Sequence, residues 1–313
     1  MREWLNRTHV GDCRELLKEM AAAGVRVQTC VTSPPYFGLR DYGVAGQIGL
    51  EHTPAEYVER MVEVFRAVKD VLADDGTVWL NLGDSYSSGG RKTRDPGQSK
   101  NHRPFQGESA VTAWRPDDGA KPKDLLGIPW RVAFALQADG WYLRSDIIWH
   151  KPNPLPESVT DRPTKAHEYV FLLAKSERYY YDANSIKERA TDTGRFSGID
   201  GRDERAEARP PGSSARTLAR IDYSSRGRNK RTVWTIPTAP FSGAHFATFP
   251  RALIEPCVLA GSRAGDTVLD PFMGSGTTAE VATRFGRNFI GCELNPKYVE
   301  LHEMRRTTVG MPI

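Results

Sequence analysis

Thr267-Val-Leu-Asp-Pro-Phe-Met-Gly-Ser-Gly-Thr-Thr278 decides the fold. Thr267 to Asp270 suits a short strand that ends on an acid, a turn with two glycines follows, and Thr277 to Phe285 has the spacing of a helix. A strand that runs through a glycine turn into a helix is where open α/β sheets bind ligands, because glycine lets the backbone approach closely. Asn288 to Cys292 reads as the next strand and Glu293 closes it, about twenty residues past the turn, where a carboxylate accepts hydrogen bonds from both hydroxyls of a ribose.

The same loop excludes some ligands. It lacks the G-x-G-x-x-G spacing of dinucleotide enzymes and has no Gly-Lys-Ser/Thr phosphate cradle, which argues against a nicotinamide oxidoreductase. An acid turned toward a ligand points instead to an ammonium group. S-adenosyl-L-methionine carries an α-ammonium for Asp270 and a ribose diol for Glu293.

Outward from this loop, strand and helix alternate. Gly24 to Thr32 reads as a buried strand, Pro54 to Leu72 as a helix with Thr53 as N-cap and Pro54 in its first position, and Thr77 to Leu82 as a strand. A helix over Pro129 to Gln137 and strands over Tyr142 to Trp149 and Tyr169 to Leu173 follow, with a proline-rich connector at His150 to Pro156. Val233 to Ile236, a helix near Pro250 to Ala260 and a terminal helix from Pro296 complete a doubly wound sheet. Two stretches interrupt it. Residues 84–123 and about 187–230 are rich in Gly, Ser, Pro and charge without periodicity, which predicts long loops, the first of them mobile.

The first predicted strand runs into Val31-Thr-Ser-Pro-Pro-Tyr-Phe-Gly-Leu-Arg40. Proline cannot continue a sheet ladder, so Ser33, Pro34, Pro35 and Tyr36 form a turn at a strand's C-terminal end. An exocyclic amine on a nucleobase is a poor nucleophile because its lone pair is delocalised into the ring. The Ser33 hydroxyl and the Pro34 carbonyl can accept the amine's hydrogens and localise that pair, and two prolines fix the carbonyl's direction. Tyr36 offers an aromatic face for a base swung out of a duplex.

Composition sets the outer limits. A chain of 313 residues that is 39% hydrophobic and 26% charged can bury a large core, and no apolar run approaches the roughly 20 residues that cross a bilayer. The first residues lack the apolar core of a secretion signal, so a cytoplasmic location is expected and no membrane partner. Cys13, Cys30, Cys257 and Cys292 are scattered without zinc-ligand spacing, so no metal is expected, and Cys30 and Cys292 read as buried thiols. Trp79, Trp130, Trp141 and Trp149 read as core. The net charge of +4 does not by itself announce a polyanionic partner, but its distribution is uneven. Between Arg205 and Arg231 the bases include Arg216, Arg220, Arg226, Arg228, Lys230 and Arg231, with Glu207 and Asp222 opposing them, which suits phosphate contacts or a solvated loop.

With both motifs in place the sequence resembles the amino-directed DNA methyltransferases, which modify cytosine N4 or adenine N6, in the circularly permuted order that puts the catalytic motif before the cofactor motif. The likeness runs through Gly11-Asp-Cys13, Thr32 to Tyr36, Asp75 to Asp84, His245-Phe-Ala-Thr-Phe-Pro250, Asp270 to Thr278 and Gly291-Cys-Glu293. It implies a class I S-adenosylmethionine-dependent methyltransferase fold, a Rossmann-like, mostly parallel sheet with polar loop insertions. It also implies cofactor contacts from Asp12, His245, Ala247, Asp270, Pro271, Phe272, Gly274, Ser275, Gly276, Thr277, Thr278 and Glu293, and a target base held by Ser33 to Tyr36. Residues 1–186 would form the catalytic half, 187–231 the insertion that recognises double-stranded DNA, and 232–313 the cofactor half. Serine at the first catalytic position favours cytosine N4 over adenine N6, and methylation at cytosine C5 is disfavoured because it needs a cysteine beside the proline. A cognate restriction endonuclease is a possible partner, and a catalytically idle DNA-binding protein is the rival reading.

Overall fold

The computed structural model of the chain describes residues 2–87, 120–189, 227–238 and 249–300. Eight strands form one sheet in the order β1-β8-β7-β2-β3-β5-β4-β6. Their ranges are β1 Arg7–Val10, β2 Val27–Thr32, β3 Leu72–Leu82, β4 Tyr142–His150, β5 His167–Ala174, β6 Val233–Thr235, β7 Thr267–Asp270 and β8 Asn288–Glu293. Only β5 runs against its neighbours, pairing antiparallel with both β3 and β4. The helices are α1 Cys13–Ala22, α2 Pro54–Val71, α3 Ile128–Ala138, α4 Arg251–Gly261 and α5 Thr277–Arg284.

Strand side chains alternate between two cores, as the period of two demands. Cys30, Leu80, Leu269 and Ile290 face one core with Leu17 of α1, Phe65 of α2 and Val132 of α3. Their sequence neighbours Val31, Trp79, Val268 and Phe289 face the other with Val258 of α4 and Val281 of α5. Helices thus cover both faces, which is the doubly wound arrangement. Trp79, Trp141 and Trp149 are buried as expected, whereas Trp130 only leans on its core. All four cysteines are buried, and burial pushes the Cys13 thiol up to about 12.

The α2 boundary follows its chemistry: the Thr53 hydroxyl accepts a hydrogen bond from the Glu56 amide at 3.1 Å, and Pro54 occupies the first turn. The edge strand β1 and helix α1 have no counterpart in the sequence reading. Residues 296–300 are helical, and the rest of the expected terminal helix lies outside the described residues. Most of both expected insertions does too, but their ends meet: the Ser87 amide donates to Asp124 O at 2.9 Å, and Glu188 bridges Arg228. Among the described residues no helix is long and apolar enough to cross a membrane.

Candidate active site

Strands β1, β8, β7 and β2 are parallel neighbours, so Asp12, Glu293, Asp270 and Ser33 arrive together at their C-terminal edge. The glycine loop is laid against β8 by the Met273 amide, which donates to Cys292 O at 2.9 Å. Gly291 leaves room for the Met273 side chain, since a Cβ there would come within 2.5 Å of its Cε and 3.1 Å of its Cγ. Gly274 and Gly276 have φ of +53° and +81°, a region that other residues rarely adopt, which explains two glycines in this turn. Asp270, which the sequence reading turned toward an ammonium, is also held from the protein side. The carboxylate is 1% exposed and accepts from the hydroxyls of Thr32 at 2.6 Å and Thr278 at 2.7 Å and from the Phe272 amide at 3.0 Å. These three bonds tie Asp270 to β2 and α5, so its carboxylate anchors the loop from within the protein. Burial raises its carboxyl to about 6, with the three hydrogen bonds opposing.

Glu293 accepts from the Gly274 amide and the Asn295 amide, each at 2.8 Å, and burial raises its carboxyl to about 7. Asp12 caps α1 and pairs with Arg14, whose hydrogen bond holds its carboxyl below the ordinary range.

The proline turn is joined directly to this loop. Thr32, which precedes Ser33, bonds Asp270, and the Thr278 hydroxyl that donates to Asp270 also lies 3.3 Å from Val31 O. Pro35 O accepts from the buried Tyr57 hydroxyl at 2.9 Å, which pins the turn to α2. The Tyr36 ring lies against Gly83, where a Cβ would come within 2.5 Å of Cε2. Its hydroxyl donates to Glu168 at 2.7 Å and lies 3.1 Å from Asn81 Oδ1, while the Ser33 hydroxyl donates to it at 3.4 Å. Asn81 Nδ2 donates to the same Glu168 oxygen at 3.2 Å, and Lys151 Nζ pairs with the other. Asn81 and Gly83 lie in the Asp75 to Asp84 stretch of the likeness, which assigned them no role of their own, and Lys151 and Glu168 escaped the sequence reading. Only cross-strand register, which sets Asn81 opposite Val170 and Trp149 opposite Glu168, brings them beneath Tyr36.

Residues 27–304 match the family model described as DNA methylase. The chain belongs to the DNA methylase family. The methylase is 49% identical over 299 residues to the Type II methyltransferase M.SmaI of Serratia marcescens, a match that spans 95% of this chain and 89% of that protein. Among solved structures it shares its fold with the PvuII DNA methyltransferase (cytosine-N4-specific), at a TM-score of 0.61 and 21% identity over 96% of this chain and 88% of that one. The M1.HpyAVI–SAM complex gives a TM-score of 0.56 at 17% identity over 96% and 98% of the two chains. The fold is therefore that of the class I S-adenosylmethionine-dependent methyltransferases, with the Ser33 turn ahead of the glycine loop in the chain.

Of the methylase residues singled out in the sequence, Ser33 to Tyr36, Asp12, Pro271, Phe272, Gly274 to Thr278 and Glu293 gather at one edge with the anchor Asp270. His245 and Ala247 lie outside the described residues, as do Arg216, Arg220 and Arg226. The remaining basic residues have partners within the methylase: Arg228 and Arg231 both bond the Glu188 carboxylate, at 3.1 and 3.0 Å, and Lys230 Nζ sits 4.9 Å from the Trp234 ring centre.

Proposed function

We propose that the methylase transfers a methyl group from S-adenosyl-L-methionine to the exocyclic N4 amine of cytosine in double-stranded DNA, at a specific sequence, on a base swung out of the duplex. The observation that carries this reading is the direct bond from Thr32 to Asp270, which holds an amine-accepting turn beside a glycine loop fit for a nucleoside. When bound, S-adenosylmethionine supplies an electrophilic methyl on a sulfonium. Phe272, the left-handed glycines 274 and 276, Glu293 and Asp12 would hold it, with the Glu293 carboxylate moving from the Gly274 amide to a ribose diol.

Ser33 and the Pro34 carbonyl then accept the hydrogens of the target amine, so that its lone pair is directed outward from the ring plane. Gly83 backs one face of the Tyr36 ring, and the other is the stacking platform for the base. Serine at position 33 favours cytosine as the target. In this reading residues 1–186 and 232–313 are the two halves of one catalytic domain, residues 187–231 recognise DNA, and a restriction endonuclease of the same sequence specificity is the cellular partner.

The test is to map modified bases in DNA of diverse sequence after incubation with the purified methylase and S-adenosylmethionine. The expected product is N4-methylcytosine at one recurring sequence. N6-methyladenine would move the target to adenine, and unmodified DNA from folded, cofactor-binding protein would leave a DNA-binding scaffold.

A further inference from the structure

A serine hydroxyl has one proton and two lone pairs, so its presence in the turn does not say which it offers to a substrate. The distinction matters, because an amine becomes nucleophilic only if Ser33 accepts its hydrogens. A hydroxyl that instead donated to the nitrogen would occupy the lone pair that must attack the methyl group.

We infer that Glu168 sets the direction of the hydrogen bonds through the turn, so that Ser33 meets the target amine as an acceptor. This rests on the function proposed above. An ionised carboxylate only accepts, and the Lys151 ammonium on Oε1 with the Asn81 amide on Oε2 supports that form. Glu168 therefore takes the Tyr36 proton, at 2.7 Å, ahead of the neutral Asn81 Oδ1 at 3.1 Å, because the charged acceptor is both nearer and stronger. Burial and the neighbouring Glu168 charge hold the Tyr36 phenol well above its ordinary range, so it stays a donor. With that proton spent, the phenolic oxygen receives the Ser33 proton, at 3.4 Å, a length that leaves room to shorten when substrate is bound. Every proton in the chain points away from the base, and what Ser33 has left for the cleft is its lone pairs. Glu168 is thus a positioning residue: it touches Tyr36 and acts through it.

The test compares wild-type protein with Glu168→Gln, Tyr36→Phe and the double variant, measuring the single-turnover rate of methyl transfer to DNA, and separately the affinities for S-adenosylmethionine and for DNA. A glutamine amide can donate to Tyr36 and reverse the chain, and phenylalanine interrupts it while keeping the ring and the Lys151–Glu168 pair. Each single variant is expected to lose roughly ten- to a hundredfold in rate, the size of one hydrogen bond to a charged group, with both affinities unchanged. The double variant should be no slower than the slower single one, because both break the same chain.

A Glu168→Gln protein at the wild-type rate, or a double variant in which the two losses multiply, overturns the inference. If Glu168→Gln does not fold, Tyr36→Phe decides alone, and an unchanged rate overturns it. Wild-type protein that transfers nothing to DNA removes the functional reading and this inference together, whereas active wild type with unaffected variants removes only the inference.

Discussion

Asp270 and Glu293 stand at the ends of adjacent strands and are both buried, Asp270 bonding two hydroxyls and an amide and Glu293 bonding backbone amides. They differ in what a ligand can ask of them. Asp270 accepts from side chains of β2 and α5, and losing it would part the two motifs. Glu293 accepts from backbone amides of loop residues, among them Gly274 and Asn295, which can be exchanged for ligand hydroxyls. Burial raises Glu293 from an ordinary 4.5 to about 7, so the folded protein holds this proton more tightly than the unfolded chain does. Its contribution to stability is complete below about pH 4.5 and is lost as pH rises through about 7. At about 1.4 kcal/mol for each unit of pKa, the loss is on the order of 3 kcal/mol. Without cofactor, Glu293→Gln should therefore flatten the fall in melting temperature between about pH 5 and about pH 8, as thermal scans at both ends would show. Wild-type affinity for S-adenosylmethionine should climb over the same interval as the carboxylate ionises, and the variant should bind roughly tenfold more weakly at the upper end with little pH dependence. Calorimetric titration giving parallel profiles for the two proteins would exclude Glu293 from the ribose.

At the scale of elements, the parts that spoke through local pattern emerged where expected. Helix α2 carries its cap, its proline and its apolar spacing within one stretch, and β7 with its glycine turn does the same. Strand β1 has four residues at the sheet edge, none fully buried, so it carries no apolar run to detect. Helix α1 did offer a signal, in Asp12 as N-cap with Leu17 and Met20 three apart on the buried face. The Tyr36 anchors were illegible for another reason: Asn81 and Glu168 sit on different strands, and a lone polar residue in a strand announces nothing until register is known. Close packing between elements is equally silent in sequence. Gly261 ends α4 against β2 and β3, where a Cβ would lie 2.7 Å from Thr29 Oγ1 and 2.8 Å from Trp79 Nε1. Those neighbours are fixed, since Thr29 is bonded to Thr77 and Trp79 is 1% exposed. Gly261→Ala should thus cost about 1–3 kcal/mol by forcing helix and sheet apart. Denaturant unfolding would measure it, and an unchanged midpoint would mean that α4 shifts without cost.

Across the whole molecule, chain order and spatial order diverge. Ser33 and Asp270 lie far apart in sequence, yet β2 and β7 are direct partners, so one edge of the sheet collects both motifs. In the function proposed above DNA approaches that edge, and a chain of formal charge +4 needs a local source of attraction to hold it. Arg228 and Arg231 of the basic segment already share Glu188, which lowers what they can give to phosphates. The burden of the basic segment then shifts to arginines such as Arg216 and Arg220. If each holds one phosphate, replacing both with alanine should make the slope of log affinity against log salt shallower by about two, and should weaken binding to every sequence alike. We expect this outcome. Had they read guanine edges instead, the slope would stay nearly constant and the loss would fall on the recognised sequence alone, by about 1–3 kcal/mol for each base contact. Binding titrations of both DNAs at several salt concentrations separate the two, and a double variant indistinguishable from wild type in slope and in discrimination would make the segment a solvated loop.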